Sequence, residues 1–297
     1  MYAAFGLRWQ LPFPCPEMGA PLSNASADVV VRRGAVPATL TGAVGSGPFQ
    51  QVRRETVLFY FPGVARYLVR EGREITIDSE EGAADGDVRL FLLGAAASLL
   101  LLQRGLLPVH ASGIRTPLGA VLFAGHSGTG KSTLLATFLA RGYEMITDDL
   151  AAIAFDGDGK AVVYPGYPQF KLWADSAAHL QQATDGLRRV RPELEKFAVP
   201  LGSALRQGPL PLYALYLPTA HNEPGLRLET LNDARKFNVF LDHTWQKLTL
   251  KRMGRHADHF RQAVAVANQI RVCRVYRPDE LALAAEMAAL IEADFMA

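Results

Sequence analysis

The chain has 297 residues, 49% of them hydrophobic and 20% charged, the balance of a globular protein long enough for one large core or two modest ones. Its 31 basic and 29 acidic residues leave a formal net charge of +2, too little to gather nucleic acid, which is therefore not an expected partner. The two cysteines, Cys15 and Cys273, lie far apart and form no C-x-x-C pair, so zinc and redox motifs have no support. The first ten residues lack a basic start followed by a long apolar core. No secretory signal is expected, and a reducing cytoplasm is the expected location.

Residues 1–84 read as a small β-rich domain. Stretches 28–33, 55–61, 65–70 and 73–78 are short β-prone runs split by glycine and proline, and Arg70-Glu71-Gly72-Arg73 suggests a hairpin turn. Residues 34–50 read as a long loop or a weak strand. The polar, turn-rich segment 80–87 makes the boundary with a second domain over residues 85–297, and Asp87 is placed to cap the next helix. That helix carries the uncharged run 90–102, which is shorter than the roughly 20 apolar residues of a membrane span. A helix buried between the two domains is expected, and no membrane contact.

Residues 107–115 read as a strand, followed by the turn Thr116-Pro117-Leu118-Gly119. If Thr116 pairs with Gly119, register places His110 opposite Gly125. There the pattern becomes specific. Gly125-His126-Ser127-Gly128-Thr129-Gly130-Lys131-Ser132 matches the G-x-x-x-x-G-K-[ST] phosphate loop at every fixed position, with an apolar strand before it and a good helix from Thr133 onward. The loop's backbone N–H groups suit phosphate oxygens, Lys131 the outer phosphates, and the Ser132 hydroxyl Mg²⁺. A further strand over 143–147 leads into the pair Asp148-Asp149. A strand, crossover helix and second strand in one sheet form a right-handed parallel unit, so both strands end on one edge and the acids land beside the loop.

Residues 105–155, with this close spacing of His110, Lys131 and Asp148, resemble the kinase domain of HPr kinase/phosphorylase. They resemble still more its smaller relatives that phosphorylate serine in precursor peptides, such as the lasso-peptide kinases. The resemblance implies an α/β (α+β) phosphate-loop kinase core, ATP and Mg²⁺ as cofactors, and a precursor peptide or protein as partner, with a homo-oligomer left open. It also implies roles: His110 would partner Asp148, which takes the acceptor proton, while Asp149 helps Ser132 hold Mg²⁺. The HPr enzymes carry an aspartate where this chain has His126, which speaks against HPr as substrate and against the reverse reaction.

Beyond the acids, a hairpin is expected over 150–164 around Asp156-Gly157-Asp158-Gly159. The proline-rich stretch 165–173 suggests a strand at the active site, with Lys171 as a second cation for the transferring phosphate. Residues 174–209 mix helix-forming stretches with the cluster Arg188-Arg189-Val190-Arg191, a solvated face or a lid, with Lys196 a further candidate for phosphate contact. Strands at 212–217 and 225–230 and helices at 231–241, 255–268 and 278–294 complete the reading. His243, His256 and His259 have no partner at metal-ligand spacing, and no arginine stands out as a finger. A Mg²⁺-ATP kinase acting on a hydroxyl, most plausibly serine, is the expected function. The alternatives are a nucleotide-binding regulator or ATPase, and a small-metabolite kinase.

Overall fold

The computed structural model describes residues 1–23, 26–47, 49–278 and 283–296. Strands β1 (Tyr2–Ala4) and β2 (Leu7–Gln10) form a hairpin too short for the sequence pattern to reveal, and β2 runs parallel to β3 (Val29–Arg33). Then β4 (Gly45–Gly47), β5 (Gln50–Arg53), β6 (Thr56–Phe61), β7 (Ala65–Arg70) and β8 (Glu74–Ser79) pair antiparallel in succession, and β8 returns beside β3 to complete an eight-stranded sheet. The turn between β7 and β8 has φ of 50° at Glu71 and 62° at Gly72, positive at both central positions as a tight hairpin demands. Alternation gives the sheet one apolar face, with Val57, Tyr67, Val69, Ile75 and Ile77 buried.

That face is covered by α1 (Asp85–Phe91), a π-helical turn at Leu92–Ala96, and α2 (Ala97–Gln103). Asp87 lies inside the first turn of α1, and the cap position is Ala84, without a side-chain hydrogen bond. Among the described residues no helix is long and apolar enough to cross a membrane.

The expected strand over 107–115 is broken at His110. Its first half, β9 (Leu107–Val109), joins one part of a nine-stranded sheet, and its second half, β10 (Ala111–Thr116), joins another. β10 pairs with β11 (Gly119–Ala124) in the expected register, Thr116 opposite Gly119 and Ala111 opposite Ala124, which carries His110 to the level of Gly125. After the phosphate loop come α3 (Lys131–Ala140) and β12 (Glu144–Thr147). β12 is antiparallel to β10 on its other side, so β11 and β12 are mutually parallel and end on one edge. The hairpin of β13 (Ala151–Phe155) and β14 (Ala161–Tyr164) follows as expected, with the Asp156 carboxylate accepting from the N–H groups of Asp158 and Lys160.

Residues 174–209 contain less helix than their composition suggests. β15 (Gln169–Trp173) leads into the short α4 (Ala174–His179), and β16 (Lys196–Pro200) pairs back on β15 as a two-stranded ribbon. The arginine cluster is tied down: Arg188 bonds Glu17 at 3.1 Å, Arg189 pairs with Glu195 at 2.6 Å and Arg191 with Glu193 at 2.8 Å. The chain closes with β17 (Leu210–Ala220), β18 (Arg227–Thr230), α5 (Ala234–His243), α6 (Lys247–Arg252), α7 (His256–Gln269), β19 (Arg271–Arg277) and α8 (Ala284–Met296). The expected start of the last helix, Asp279 to Leu281, lies outside the described residues.

Two helical layers sandwich the larger sheet. Val121 and Phe123 face α3 and α8, while the alternate Leu122 and Ala124 face α5 and α7. β11, β17 and β19 are parallel neighbours, so the carboxyl edge gathers the phosphate loop and the end of β19 at Arg277. The fold is α/β (α+β), and its two sheets interlock. Phe5 N–H donates to Pro165 O at 2.6 Å, Arg255 Nη2 reaches Glu55 at 2.7 Å, and Leu150, Ala152 and Tyr167 pack into the first sheet's core.

Candidate active site

The loop folds as its glycines require. Gly130, at the cap of α3, has φ of 93°, a left-handed value that glycine adopts without strain, and a Cβ on Gly125 would come within 2.5 Å of Thr129 Oγ1. Lys131 folds back so that Nζ donates to His126 O at 2.8 Å. Burial pushes its pKa down, and the charges of Asp149 and Asp148 pull it back up. A cavity of about 380 Å³ opens over the loop. Ser127, Gly128, Gly130, Lys131, Ser132 and Thr133 line it, whereas Gly125, His126 and Thr129 belong to the loop without lining the cavity.

The two acids part company at the turn after β12. Leu150 N–H donates to Asp148 O at 2.8 Å, and the residue between them, Asp149, has φ of 65°. This is the rarer, strained hand of a three-residue turn, tolerated by aspartate at a cost on the order of 1 kcal/mol. It sends the neighbouring carboxylates in different directions.

Asp148 is buried and accepts from Ser112 Oγ at 2.7 Å, from the Lys171 backbone N–H at 2.8 Å and from Ser132 Oγ at 3.4 Å. Asp149 keeps 21% of its side chain exposed and holds the Lys171 ammonium at 2.5 Å. His110 Nε2 stands 3.6 Å from Asp149 Oδ1, just outside hydrogen-bond range. The expected pairing of His110 with Asp148 is therefore corrected: the histidine faces Asp149, and Asp148 is the acid beside Ser132. The corner at His110 explains this, since its N–H is taken by His243 O at 2.7 Å and its ring lies against Trp245, at 5.4 Å between centroids. Trp245 also donates from Nε1 to Asp149 O at 3.0 Å, bracing the turn.

The electrostatics follow the same division. Burial, and then the charge of Asp149, raise the pKa of Asp148. Burial works against the charge of Asp149 as well, but the Lys171 ammonium holds it well below the usual carboxylate range. Lys171 is raised in turn, burial being outweighed by Asp149. Lys171, expected as a second cation for the transferring phosphate, is instead buried against Asp149 and does not line the loop cavity.

Other cations do. Lys196, on β16, lines the cavity and sits 5.5 Å from the Trp173 ring centroid. Arg277, which sequence reading misses, lies buried at the end of β19, lines the cavity and donates from Nη2 to Thr129 O at 3.4 Å. Trp173, Asp175 and Ser176 add a side wall, with Ser176 Oγ 2.8 Å from Thr133 Oγ1. A strand ending on the carboxyl edge would have revealed Arg277, had 271–277 been read as one. His243 lies against the loop, its ring centroid 4.9 Å from that of His126, and its pKa is pushed down to about 4 by burial and by His126.

The donor set suits Mg²⁺ better than a metal with a dedicated protein cage. Ser132 lines the cavity and the buried Asp148 carboxylate stands behind it, 3.4 Å from its hydroxyl, so the two form a hard-oxygen pair in which Asp148, crowded by a second negative charge, gains from a cation nearby. Among the described residues no cluster of three or more His, Cys, Asp or Glu side chains could hold a metal alone, and Mg²⁺ bound through substrate phosphates needs none.

No family model matches the chain, and no curated protein matches it. Among solved structures it is similar to the Hpr(Ser) kinase/phosphatase from Coxiella burnetii, at 11% identity and a TM-score of 0.32, over 64% of this chain and 96% of that one.

Proposed function

We propose that this protein is a kinase that transfers the γ-phosphoryl group of ATP to a hydroxyl, that of serine in a peptide or protein. The carrying observation is the position of Asp149, which lines the loop cavity on one side and a second cavity on the other. A carboxylate at such a junction can meet an acceptor hydroxyl as the phosphate arrives from the opposite side, the in-line arrangement this chemistry needs.

In this reading the loop N–H groups and Lys131 hold the triphosphate, with Lys196 and Arg277 adding positive charge around it. Mg²⁺, held by Ser132 and Asp148, would neutralise charge on the phosphate oxygens. Asp149 orients the acceptor hydroxyl while His110 and Lys171 fix its carboxylate. The acceptor oxygen bonds to the γ-phosphorus, the bond from that phosphorus to the bridging oxygen breaks, ADP leaves, and the hydroxyl proton passes to Asp149 and on to solvent. A carboxylate held so firmly ionised is a weak base, which fits a loose transition state in which the proton moves late.

The test is incubation with γ-labelled ATP, Mg²⁺ and serine-bearing peptides. Label on peptide with the wild type, lost in Asp149→Asn, supports the reading. Label released only as inorganic phosphate, at a rate indifferent to peptide, overturns it in favour of a hydrolase.

A further inference from the structure

The second cavity holds about 460 Å³ and is predominantly apolar, unlike the first. Its walls come from both halves of the molecule. Phe61 of β6 stacks on Phe91 of α1 at 3.6 Å between centroids, Tyr167 and Trp245 stand across from them, and the π-helical turn supplies Gly94. The cavity ends at Asp149 and Lys171, the pair on the acceptor side of the first cavity. π-helical turns are uncommon and concentrate at functional sites; this one brings a residue without a side chain to the cavity wall, and a Cβ built on Gly94 meets nothing within 4 Å.

Besides Asp149, Lys171 and Gln246, a further polar group borders this space. Arg191 lies with its guanidinium 5.4 Å from the Phe61 ring centroid and pairs through Nη2 with Glu193, but its Nε is buried and has no hydrogen-bond partner among the described residues. A buried donor without an acceptor is costly, and a turn of the Arg191 side chain toward the cavity would open Nε to a ligand carbonyl.

From these observations we infer that the second cavity is the acceptor subsite, and that it selects peptides in which the phosphorylated serine adjoins a large apolar or aromatic residue. The bulky side chain fills the space between Phe61, Phe91 and Trp245, a peptide carbonyl accepts from Arg191 Nε once that side chain turns toward it, and the serine hydroxyl is brought to Asp149. A plain apolar alcohol would supply the first contact and not the second. The N-terminal sheet thereby forms half of the substrate site. This inference rests on the kinase reading for its chemistry, but its binding component stands apart from it.

The test uses the full chain and blocked octapeptides with a central serine, flanked on either side by tryptophan, leucine or asparagine. Two quantities are measured: kcat/KM for phosphopeptide formation with Mg²⁺-ATP, and peptide Kd by calorimetry in the presence of a non-hydrolysable ATP analogue. Tryptophan and leucine peptides are expected to exceed the asparagine peptides by about tenfold or more in both, as burial of one large apolar side chain allows. Gly94→Leu, which fills the cavity from a position with open space, should cut the tryptophan preference at least tenfold while the melting temperature and affinity for the ATP analogue hold. Phe61→Ala, which removes one wall, should reduce the same preference and gives a second route if the leucine variant folds poorly.

Equal rates and affinities for tryptophan and asparagine peptides overturn the inference and leave the kinase reading standing. Selective binding of the tryptophan peptide without phosphoryl transfer supports the inference and sinks the kinase reading. If no peptide binds and a long-chain alcohol such as n-decanol is phosphorylated instead, the cavity belongs to a small apolar acceptor and the peptide assignment is wrong.

Discussion

His110 and Asp149 face one another at 3.6 Å between Nε2 and Oδ1, whereas Asp148 lies beside Ser132; in the proposed kinase these are the acceptor-side and nucleotide-side acids. The two should fail differently. Asp149→Asn is expected to lower the single-turnover transfer rate by about 10²-fold or more while leaving Mg²⁺-nucleotide affinity nearly unchanged. Asp148→Asn should weaken Mg²⁺-dependent nucleotide binding first. His110→Ala should slow transfer more than it weakens binding. Fluorescent-nucleotide titration beside quench-flow kinetics checks all three, and the opposite pattern would return the roles to those the sequence resemblance implies.

The change of partner for His110, from Asp148 to Asp149, shows where sequence reading stops. The turn Thr116 to Gly119 sets the register of the hairpin, and with it the level of His110, because one pairing fixes every other in a ladder. Which way two adjacent acids point depends on one positive φ, and no pattern of residue types encodes that sign. β19 escapes notice because arginines at 271, 274 and 277 interrupt its apolar alternation, although Val272 and Val275 are buried. The N-terminal hairpin is hidden by brevity, and β16 by the charged and proline-rich residues around it.

Arg277 provides a second prediction. Its guanidinium is buried beside the loop, so Arg277→Ala should weaken ATP-analogue binding by roughly 10- to 100-fold, the range for losing a charge-assisted contact. Arg277→Lys should recover part of it. Lys131→Ala should abolish binding or turnover. Calorimetric titration measures each, and wild-type affinity in Arg277→Ala would remove that residue from the nucleotide site.

Lys171 holds Asp149 well below its ordinary pKa, so activity that requires ionised Asp149 should persist into acid and fall only below the usual carboxylate range. Lys171→Met removes the cation, lets the pKa of Asp149 rise, and should shift the acid limb of the kcat profile to higher pH. A limb unmoved by the substitution would assign it to another group.

His243 makes a separate contribution to acid sensitivity. Its folded pKa of about 4 lies below the ordinary histidine value of 6.5, so between those values the unfolded chain binds more protons than the folded one. The stability held above pH 6.5 should therefore drain away as pH falls towards 4. Urea denaturation across this window should show a shallower loss in His243→Asn than in the wild type.

Glu17 is a structural tie. It is buried between Arg89, which approaches at 2.8 Å, and Arg188, at 3.1 Å, and so joins the N-terminal segment to α1 and to the arginine loop. Glu17→Ala leaves Arg89 largely buried without its counter-charge and should cost about 3 kcal/mol by chemical denaturation. A loss under 1 kcal/mol would mean that water replaces the carboxylate cheaply.

The left-handed backbone at Asp149 also limits how this position can evolve. A β-branched side chain resists that conformation, whereas asparagine and glycine accept it but bring no charge. Inserting a residue before the turn would rotate the carboxylate out of the junction, so loop length here is as constrained as residue identity. Saturation mutagenesis should accordingly find position 149 intolerant for two unrelated reasons, and position 148 for one.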